Sequence, residues 1–184
     1  MGSLSQIGEL LSLKTFRESH GPAIGGILSG VPAGIPVDFE RVKKEMEARR
    51  PGANDLRSPR NESDEVQWLS GIFEGKTTGS PIGFLIPNTD QRSGDYEALK
   101  DIFRPSHADY TYWPKYGTRD YRGGGRASAR ETACRVAAGA LLMPWLESLG
   151  MEIKAWVSSI HQHEMPQDFG DWTKEQIRQS IVYC

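Results

Sequence analysis

The segment TFRESHGPAIGGILSGVPAGIPVD, residues 15–38, places one histidine, His20, directly before a glycine-rich run. Five glycines fall within the fourteen residues that follow His20. Glycine lacks a Cβ, so it permits left-handed turns and a close approach of the backbone to another group. The segment therefore predicts a glycine-weakened strand at 23–29 and a backbone held close to a ligand beside His20.

Length and composition indicate a single globular domain. Apolar residues make up 38% of the 184 positions, and the net charge of −2 gives no bulk attraction to nucleic acid or membrane. Two cysteines without metal-type spacing suit a reducing compartment. Neither a membrane-spanning run nor a signal-peptide pattern is present. We expect one domain over residues 1–184, a cytoplasmic location, and no metal site.

Hydrophobic periodicity predicts a chain of mixed strands and helices. The predicted strands are 8–16, 23–29, 65–73, 81–86 and 151–160, with a hairpin between the third and the fourth. The predicted helices are 39–50 after the N-cap Asp38, 127–149 with a kink or interruption at Pro144, and a last helix that begins with a Thr173–Gln176 capping box and runs to about Tyr183.

Three polar segments are predicted to be loops. Residues 52–64 form a mobile polar loop, and the acid-rich NESDE, residues 61–65, belongs to a solvated surface. Residues 87–125 form a long aromatic, arginine-rich loop with a short helical stretch near 95–102. Long loops in compact domains are often functional, so this one is a candidate binding region.

Two histidines are candidates for acid–base chemistry. An ordinary histidine pKa of about 6.5 suits proton donation near neutrality, which favours His20 as a general acid. His107 lies in RPSHADYTY, where Asp109 is placed to hold an imidazole tautomer and Arg104 to grip an anion. For each histidine the alternative is a purely structural role. His161 and His163 lack suitably spaced partners for a metal, so we expect them to be structural.

The segment YRGGGRASARET, residues 121–132, leads three glycines directly into a helix N-terminus. Such an end presents free N–H groups and a positive dipole to an anion. Arg126 and Arg130 add positive charge, and Ser128 adds a hydroxyl. The pattern predicts an anion site, with an ordinary capped helix as the alternative.

Taken together, these segments resemble the chorismate synthase family. The matching pieces, in family order over roughly residues 10–140, are ESHGPAIGG, GVPAGIP, RRPG, LSGIFEGKTTGSPIG, NTDQRSGDY and DIFRPSHADYTYWPKYGTRDYRGGGRASARETACRVAAGA. The resemblance implies an α+β fold of antiparallel sheets sandwiching helices, assembled as a homotetramer. Family members are about twice as long, so the chain is expected to be truncated and to supply the N-terminal half of the fold.

The resemblance also implies a reaction. A lyase of the shikimate pathway, which leads to the aromatic amino acids, would convert 5-enolpyruvylshikimate 3-phosphate to chorismate by a 1,4-anti elimination of phosphate. The family requires reduced FMN although there is no net redox change, and NADPH is a candidate reductant. The alternative is a non-catalytic remnant that acts as a phosphate-ligand-binding or interaction module.

The family pattern gives roles to individual residues. His20 would protonate the departing phosphate, and His107 would protonate or stabilise the reduced flavin. The substrate's phosphate and carboxylates require cations. The implied substrate-binding residues are Ser19, Arg49, Arg104, Ser128 and Arg130. The implied FMN-binding residues are Arg126, Ala127, Ser128 and Arg49, the last of which also falls where bifunctional members are thought to take NADPH.

Three positions depart from the family pattern. Arg17 stands where the family usually has glycine, and Ala48 shortens an arginine run. Asp55 replaces an expected arginine, which weakens the NADPH assignment. These departures favour the remnant, whereas His20 and His107 favour the enzyme.

Overall fold

The computed structural model describes residues 5–17, 20–50, 63–89, 97–122, 128–164 and 171–179. They belong to two compact units, residues 1–145 and 146–184, each described by itself. The elements in chain order are β1 Gln6–Ile7, β2 Ser12–Arg17, β3 Ala23–Ser29, α1 Phe39–Arg49, β4 Gln67–Trp68, β5 Ile72–Phe73, β6 Lys76–Thr77, β7 Ile82–Pro87, α2 Asp109–Tyr116, α3 Thr132–Ser148, β8 Ser159–Ile160, β9 His163–Glu164 and α4 Lys174–Arg178. The predicted α+β class is confirmed.

A five-stranded antiparallel sheet organises the first unit, in the order β1-β2-β3-β7-β4. Its register pairs Phe16 with Gly25 and Gly25 with Leu85. Directly opposed residues in antiparallel strands share a face, so these three lie on one side of the sheet. The other side carries Ile24 and Phe84, both fully buried.

The core forms between that buried face and two helices. The sheet contributes large apolar side chains, and the helices contribute smaller ones: Ile24, Leu28, Ile82, Phe84 and Ile86 from the strands, Val42 and Met46 from α1, and Ala133, Cys134, Ala137 and Leu141 from α3. Alanines on α3 let the helix approach the sheet closely, since a small side chain leaves room for a large one opposite. The core thereby fixes the ends of β3, β7, α1 and α3 relative to one another.

Local signals explain the two core helices. The Asp38 carboxylate accepts from the backbone N–H of Arg41 at 2.9 Å, which satisfies one of the free donors of the first turn of α1. Ser128 similarly accepts from Arg130 N at the 3-10 turn Ala129–Glu131 that leads into α3. The prediction for α3 was a kink or an interruption at Pro144, and the interruption does not occur, since the helix continues through Pro144 to Ser148.

Turns that contain glycines with positive φ change the bounds of two strands predicted from the sequence. Gly8 has φ +82°, and residues 8–11 connect β1, which lies before the strand predicted at 8–16, to β2, so that the predicted strand begins at Ser12 and not at residue 8. Between β4 and β7, the two-residue turn Glu74-Gly75 has positive φ at both positions, as a type I′ hairpin requires. It closes the small β5–β6 hairpin, in which β5 is the end of the strand predicted at 65–73 and β6 lies in the predicted connection, while β4 pairs with β7 as expected.

Two predictions on the later part of the chain were wrong. Helix α2 occupies Asp109–Tyr116, inside the segment predicted to be a loop, with Pro114 in its interior. The strand predicted at 151–160 is present only at Ser159–Ile160, and residues 151–158 have no regular structure. The apolar residues of that stretch, such as Ile153 and Trp156, are exposed, so no buried face holds it in a sheet.

The second unit contains a two-stranded hairpin and the capped helix α4. Thr173 Oγ1 accepts from Gln176 N, and the Gln176 side chain accepts from Thr173 N, which confirms the predicted capping box. Lys174 bonds Glu147 at 3.2 Å in the same unit. Within the described ranges, no helix combines the length and apolar character needed to cross a membrane.

Candidate functional site

A buried carboxylate, that of Asp64, joins two arginines from different parts of the first unit. Its Oδ2 accepts from Arg49 Nη1 at 2.5 Å, and its Oδ1 accepts from Arg130 Nη1. The Asp64 side chain is fully buried, and those of Arg49 and Arg130 are 17% and 3% exposed. The prediction that the NESDE segment is a solvated surface is therefore wrong at Asp64, because Arg49 at the end of α1 and Arg130 in the turn before α3 enclose it.

Asn88 continues this cluster towards His20. Its Oδ1 accepts from Arg130 Nε at 3.1 Å, and its Nδ2 donates to the carbonyl of Gly21 at 2.8 Å. The backbone N–H of Asn88 donates to Pro22 O at 3.0 Å. His20 itself is buried, directly before Gly21. A hydrogen-bonded path thus runs from the His20 segment through Asn88 and Arg130 to Asp64 and on to Arg49.

A second cluster surrounds the carboxylate of Asp109. Arg104 donates to it from its backbone N–H and from Nε, at 3.2 and 3.0 Å, and Arg119 Nη1 lies 3.1 Å away. Burial acts to raise the pKa of Asp109, but the hydrogen bonds from Arg104 and the charges of both arginines outweigh it, so the pKa lies below its ordinary value. The carboxylate is therefore a buried anion that orients two guanidinium groups.

Arg119 also ties the preceding loop together. Its Nη2 donates to the carbonyls of Leu99, Lys100 and Ile102, and its guanidinium lies 5.1 Å from the centre of the Phe103 ring. These contacts satisfy carbonyls at the end of a short 3-10 turn at residues 97–99 and hold the segment before Arg104.

His107 is held by backbone and not by Asp109, contrary to the expectation from the sequence. Its Nδ1 lies 3.0 Å from the carbonyl oxygen of Pro105. A carbonyl oxygen only accepts, so Nδ1 is the donor, and in the neutral ring Nε2 is the nitrogen that can take up a proton. His107 is exposed, which lets a ligand reach Nε2.

Asp120 and Arg122 form a third charged cluster, and Asp120 is close enough to His20 to interact with it electrostatically. Arg122 binds the carboxylate with two hydrogen bonds, from Nε at 2.8 Å and Nη2 at 2.7 Å. These bonds hold the pKa of Asp120 below its ordinary value against the opposing effect of burial, and a charged His20 imidazole acts in the same direction. Asp120 therefore carries a negative charge in the electrostatic neighbourhood of His20.

Several predicted positions lie outside the described residues. Ser19, Arg126, Ala127 and Asp55 are among them, and for Arg17 the structure describes the backbone alone. Ser128 is described and half-buried, with its Oγ accepting from Arg130 N at 3.3 Å. Among the described residues, no group of three or more histidine, cysteine, aspartate or glutamate side chains could hold a metal.

Close packing within the protein explains why several positions after His20 are glycine. A Cβ on Gly25 would lie 2.5 Å from the carbonyl oxygen of Phe84 and 2.5 Å from the Phe16 ring. A Cβ on Gly26 would lie 2.7 Å from the Phe84 ring, and Gly30 has φ +84°. At these positions the protein's own strand packing and a turn already require glycine.

A cavity of about 520 Å³ borders the Asp64 cluster along α1. Its wall combines apolar side chains with charged ones, among them Val42, Met46, Trp68, Lys43, Arg50 and Asp64. The cavity therefore lies beside the arginine-bound carboxylate and has both apolar and charged walls.

Sequence reasoning missed Asp64, Asn88, Arg119 and Asp120. Asn88 comes two residues after the predicted strand 81–86 and directly after β7, and a polar residue at a strand end is a signal that could have singled it out. No local pattern marks Asp64, because its partners are 15 and 66 residues away along the chain. The described geometry can orient anions with guanidinium groups and move a proton at His20 or His107.

Comparisons with known proteins give a consistent result. The family model described as chorismate synthase matches residues 11–184. The chain is 51% identical over 180 residues to a chorismate synthase of Christiangramia forsetii, covering 98% of this chain and 50% of that protein. For a chorismate synthase of Porphyromonas gingivalis the identity is 52% over 182 residues, with the same two coverages. The chain spans about half the length of these curated relatives.

A solved structure agrees with the sequence relatives. The crystal structure of a chorismate synthase superposes with a TM-score of 0.61 and 36% identity, covering 83% of this chain and 39% of that one. The family match over residues 11–184, together with the shared fold, shows that the chain belongs to the chorismate synthase family.

Proposed function

We propose that this chain takes part in the lyase reaction of its family, the 1,4-anti elimination of phosphate from 5-enolpyruvylshikimate 3-phosphate to give chorismate in the shikimate pathway. The observation that carries the proposal is the buried path that joins the His20 segment to Arg130 and Arg49. It holds the segment of a candidate acid beside guanidinium groups, and these are the two kinds of group that can assist the departure of a phosphate.

The substrate's anionic groups would be bound by arginine and hydroxyl side chains. Arg49, Arg104 and Arg130, with Ser19 and Ser128, are the proposed contacts. Each described arginine in this set is oriented by a carboxylate, Asp64 or Asp109, so its fork of donors has a fixed direction. Preorganised donors stabilise developing charge without reorganising at the moment of reaction.

Two histidines would move protons. His20 is buried before Gly21, where an imidazolium can donate to the departing phosphate. His107 keeps its Nδ1 proton on Pro105 O, which leaves Nε2 to hold a proton beside a bound ring. The two residues therefore have different environments and take different proposed roles, His20 towards the substrate and His107 towards the cofactor.

The proposed cofactor is reduced FMN, bound by Arg126, Ala127, Ser128 and Arg49. The described members of this set fit in kind, since a half-buried hydroxyl and a partly exposed guanidinium suit a ribityl chain and a phosphate. When bound, the reduced flavin supplies electron density to the allylic system and recovers it. NADPH is the proposed reductant, taken near Arg49.

The remaining proposals concern assembly and place. We propose a homotetramer, with a small phosphorylated molecule as ligand and no nucleic acid or membrane partner. We also propose a single domain over residues 1–184 and a cytoplasmic location, in line with the charge and cysteine content of the chain.

The experiment is anaerobic turnover of 5-enolpyruvylshikimate 3-phosphate with chemically reduced FMN, followed by the absorbance of chorismate. We expect chorismate from the wild-type chain, and a decrease of about 10²–10⁴-fold in His20→Ala and in His107→Ala, as removal of a general acid predicts. His161→Ala, an exposed histidine of the second unit, is the matched control and should leave the rate unchanged. No chorismate from the wild-type chain would support the ligand-binding alternative, and equal rates in all variants would remove the assigned histidines.

A further inference from the structure

Resting on the proposed function, we propose that Asp64 and Asn88 are positioning residues that hold Arg130 and, through it, set the spacing between the His20 segment and Arg49. Neither residue is among those that the family pattern assigned to substrate or cofactor. Both are buried, and both bind the same guanidinium from different sides. They act on ligands through the groups that they orient.

Asp64 is built to share one charge between two cations. Its two oxygens bond different guanidinium groups, one from the C-terminal end of α1 and one from the turn before α3. The side chain is fully buried, so solvent cannot replace either bond. Asp64 also has φ +52°, a conformation that a non-glycine residue rarely adopts, and the two ion pairs hold it there.

Asn88 uses the opposite polarity of its two amide atoms. The Oδ1 accepts from Arg130 Nε, and the Nδ2 donates to Gly21 O. A carboxylate could accept from Arg130 but could not donate to Gly21, so only an amide satisfies both contacts. Because Gly21 follows His20, the orientation of Asn88 determines where the His20 backbone lies relative to the arginine.

The network makes two isosteric substitutions informative. Asp64→Asn keeps the volume but removes the charge, so both ion pairs are lost, and its NH2 group faces one guanidinium, so only one of the two hydrogen bonds can remain. Asn88→Asp keeps the Arg130 contact and replaces the Gly21 donor with a repelling oxygen. Glu65→Gln is the matched control, since Glu65 is the exposed acidic neighbour of Asp64.

The first measurement does not depend on the proposed function. Nitrogen-15 NMR follows hydrogen exchange of the Arg130 Nε–H, assigned by its loss in Arg130→Lys. We expect slow exchange in the wild type and in Glu65→Gln, and exchange faster by at least about 10-fold in Asp64→Asn, because the buried guanidinium is released. We expect Asn88→Asp to keep the protection of Arg130 and to shift the Gly21 amide and the His20 imidazole resonances.

The second measurement is calorimetric binding of 5-enolpyruvylshikimate 3-phosphate to the same chains. We expect an affinity lower by roughly 10-fold or more in each variant, since misplacing an orienting group by about 1 Å has effects of this size. Near-ultraviolet circular dichroism checks folding, and if Asp64→Asn does not fold, Asn88→Asp carries the test.

The outcomes separate the two proposals. A wild-type chain that does not bind the substrate overturns the proposed function, and the NMR comparison then decides the positioning roles alone. A folded variant with a lower Tm but wild-type affinity and unchanged Arg130 exchange or His20 resonances would show a purely structural role and overturn the inference. Weaker substrate binding in Asp64→Asn and Asn88→Asp, with wild-type affinity in Glu65→Gln, would support both the proposed function and the positioning roles.

Discussion

At the residue scale, the site depends on buried carboxylates that a linear pattern does not mark. Asp64 and Asp109 each bind two arginines, and each is nearly inaccessible to solvent. The sequence placed Arg49, Arg104 and Arg130 as anion-binding candidates from their family positions. It could not show that each would be oriented by a carboxylate, because that depends on which distant segments the core brings together.

Asp109 makes the first residue-scale prediction, on pH dependence. Its pKa is depressed in the folded chain, so its contribution to stability is fully present above the unfolded pKa of about 3.9 and is lost as the pH falls through the lower folded value. We expect Asp109→Asn to lower the free energy of unfolding at pH 7 by about 1–3 kcal/mol, the effect of leaving a buried charged partner unsatisfied. The difference from the wild type should narrow below about pH 3.9.

Urea unfolding between pH 7 and pH 3 measures this difference. Asp101→Asn serves as the control, because Asp101 is an exposed carboxylate eight positions earlier in the same segment. We expect that variant to follow the wild type at every pH. A difference for Asp109→Asn that stays constant over the whole range would mean that packing, and not charge, explains the destabilisation.

At the element scale, the sequence predicted a buried strand correctly and failed for segments whose side chains are exposed. The strand at 23–29 was predicted with its observed bounds, because a short apolar run bounded by turn residues is typical of a strand that the sheet buries. Helix α2 was missed because Pro114 and six aromatic or charged residues give DYTYWPKY no clear apolar stripe. The strand predicted at 151–160 failed for the opposite reason, since its alternating apolar residues find no face to cover them.

Strand β3 makes the element-scale prediction, on close packing at glycine. We expect Gly25→Ala to lower the free energy of unfolding by about 1–3 kcal/mol, because the added Cβ meets the backbone oxygen of Phe84, which cannot move without disturbing the sheet. Gly139→Ala in α3 is the matched control. Outside the local helix backbone, no described heavy atom lies within 4 Å of its Cβ position, so that variant should gain about 0.5–1 kcal/mol from helix propensity.

Thermal and urea unfolding of the two variants measure the contrast. Opposite signs are the expected result for the same chemical change. If Gly25→Ala were as stable as the wild type, the close approach of β2, β3 and β7 would not require glycine, and a ligand contact would again be the better reason for the glycines near His20.

At the scale of the whole molecule, one face of the central sheet is apolar and open. Phe16 and Ile27 lie on it with 45% and 41% of their surfaces exposed, opposite the face that forms the core. The curated relatives are about twice as long as this chain. In a longer protein, additional chain could cover such a face, and in this chain a second copy could do so. The residue pattern predicted the strands, but it could not predict that this face is exposed, because exposure depends on whether another segment or another subunit packs against it.

This face makes the last prediction, on self-association. Sedimentation velocity over a hundredfold range of concentration should show the wild-type chain associating, because burying an exposed apolar sheet face is favourable. Ile27→Glu should weaken association by roughly 10-fold or more, since an unpaired carboxylate resists burial in an interface. The new carboxylate lies directly opposite Lys14 in the register, so a cross-strand ion pair should keep the strand folded.

Leu10→Glu, at a residue that is 95% exposed and outside the strands, is the control and should associate like the wild type. A wild-type chain that stays monomeric at every concentration would remove the homo-oligomer proposal for these 184 residues and leave the covering of the face to additional chain.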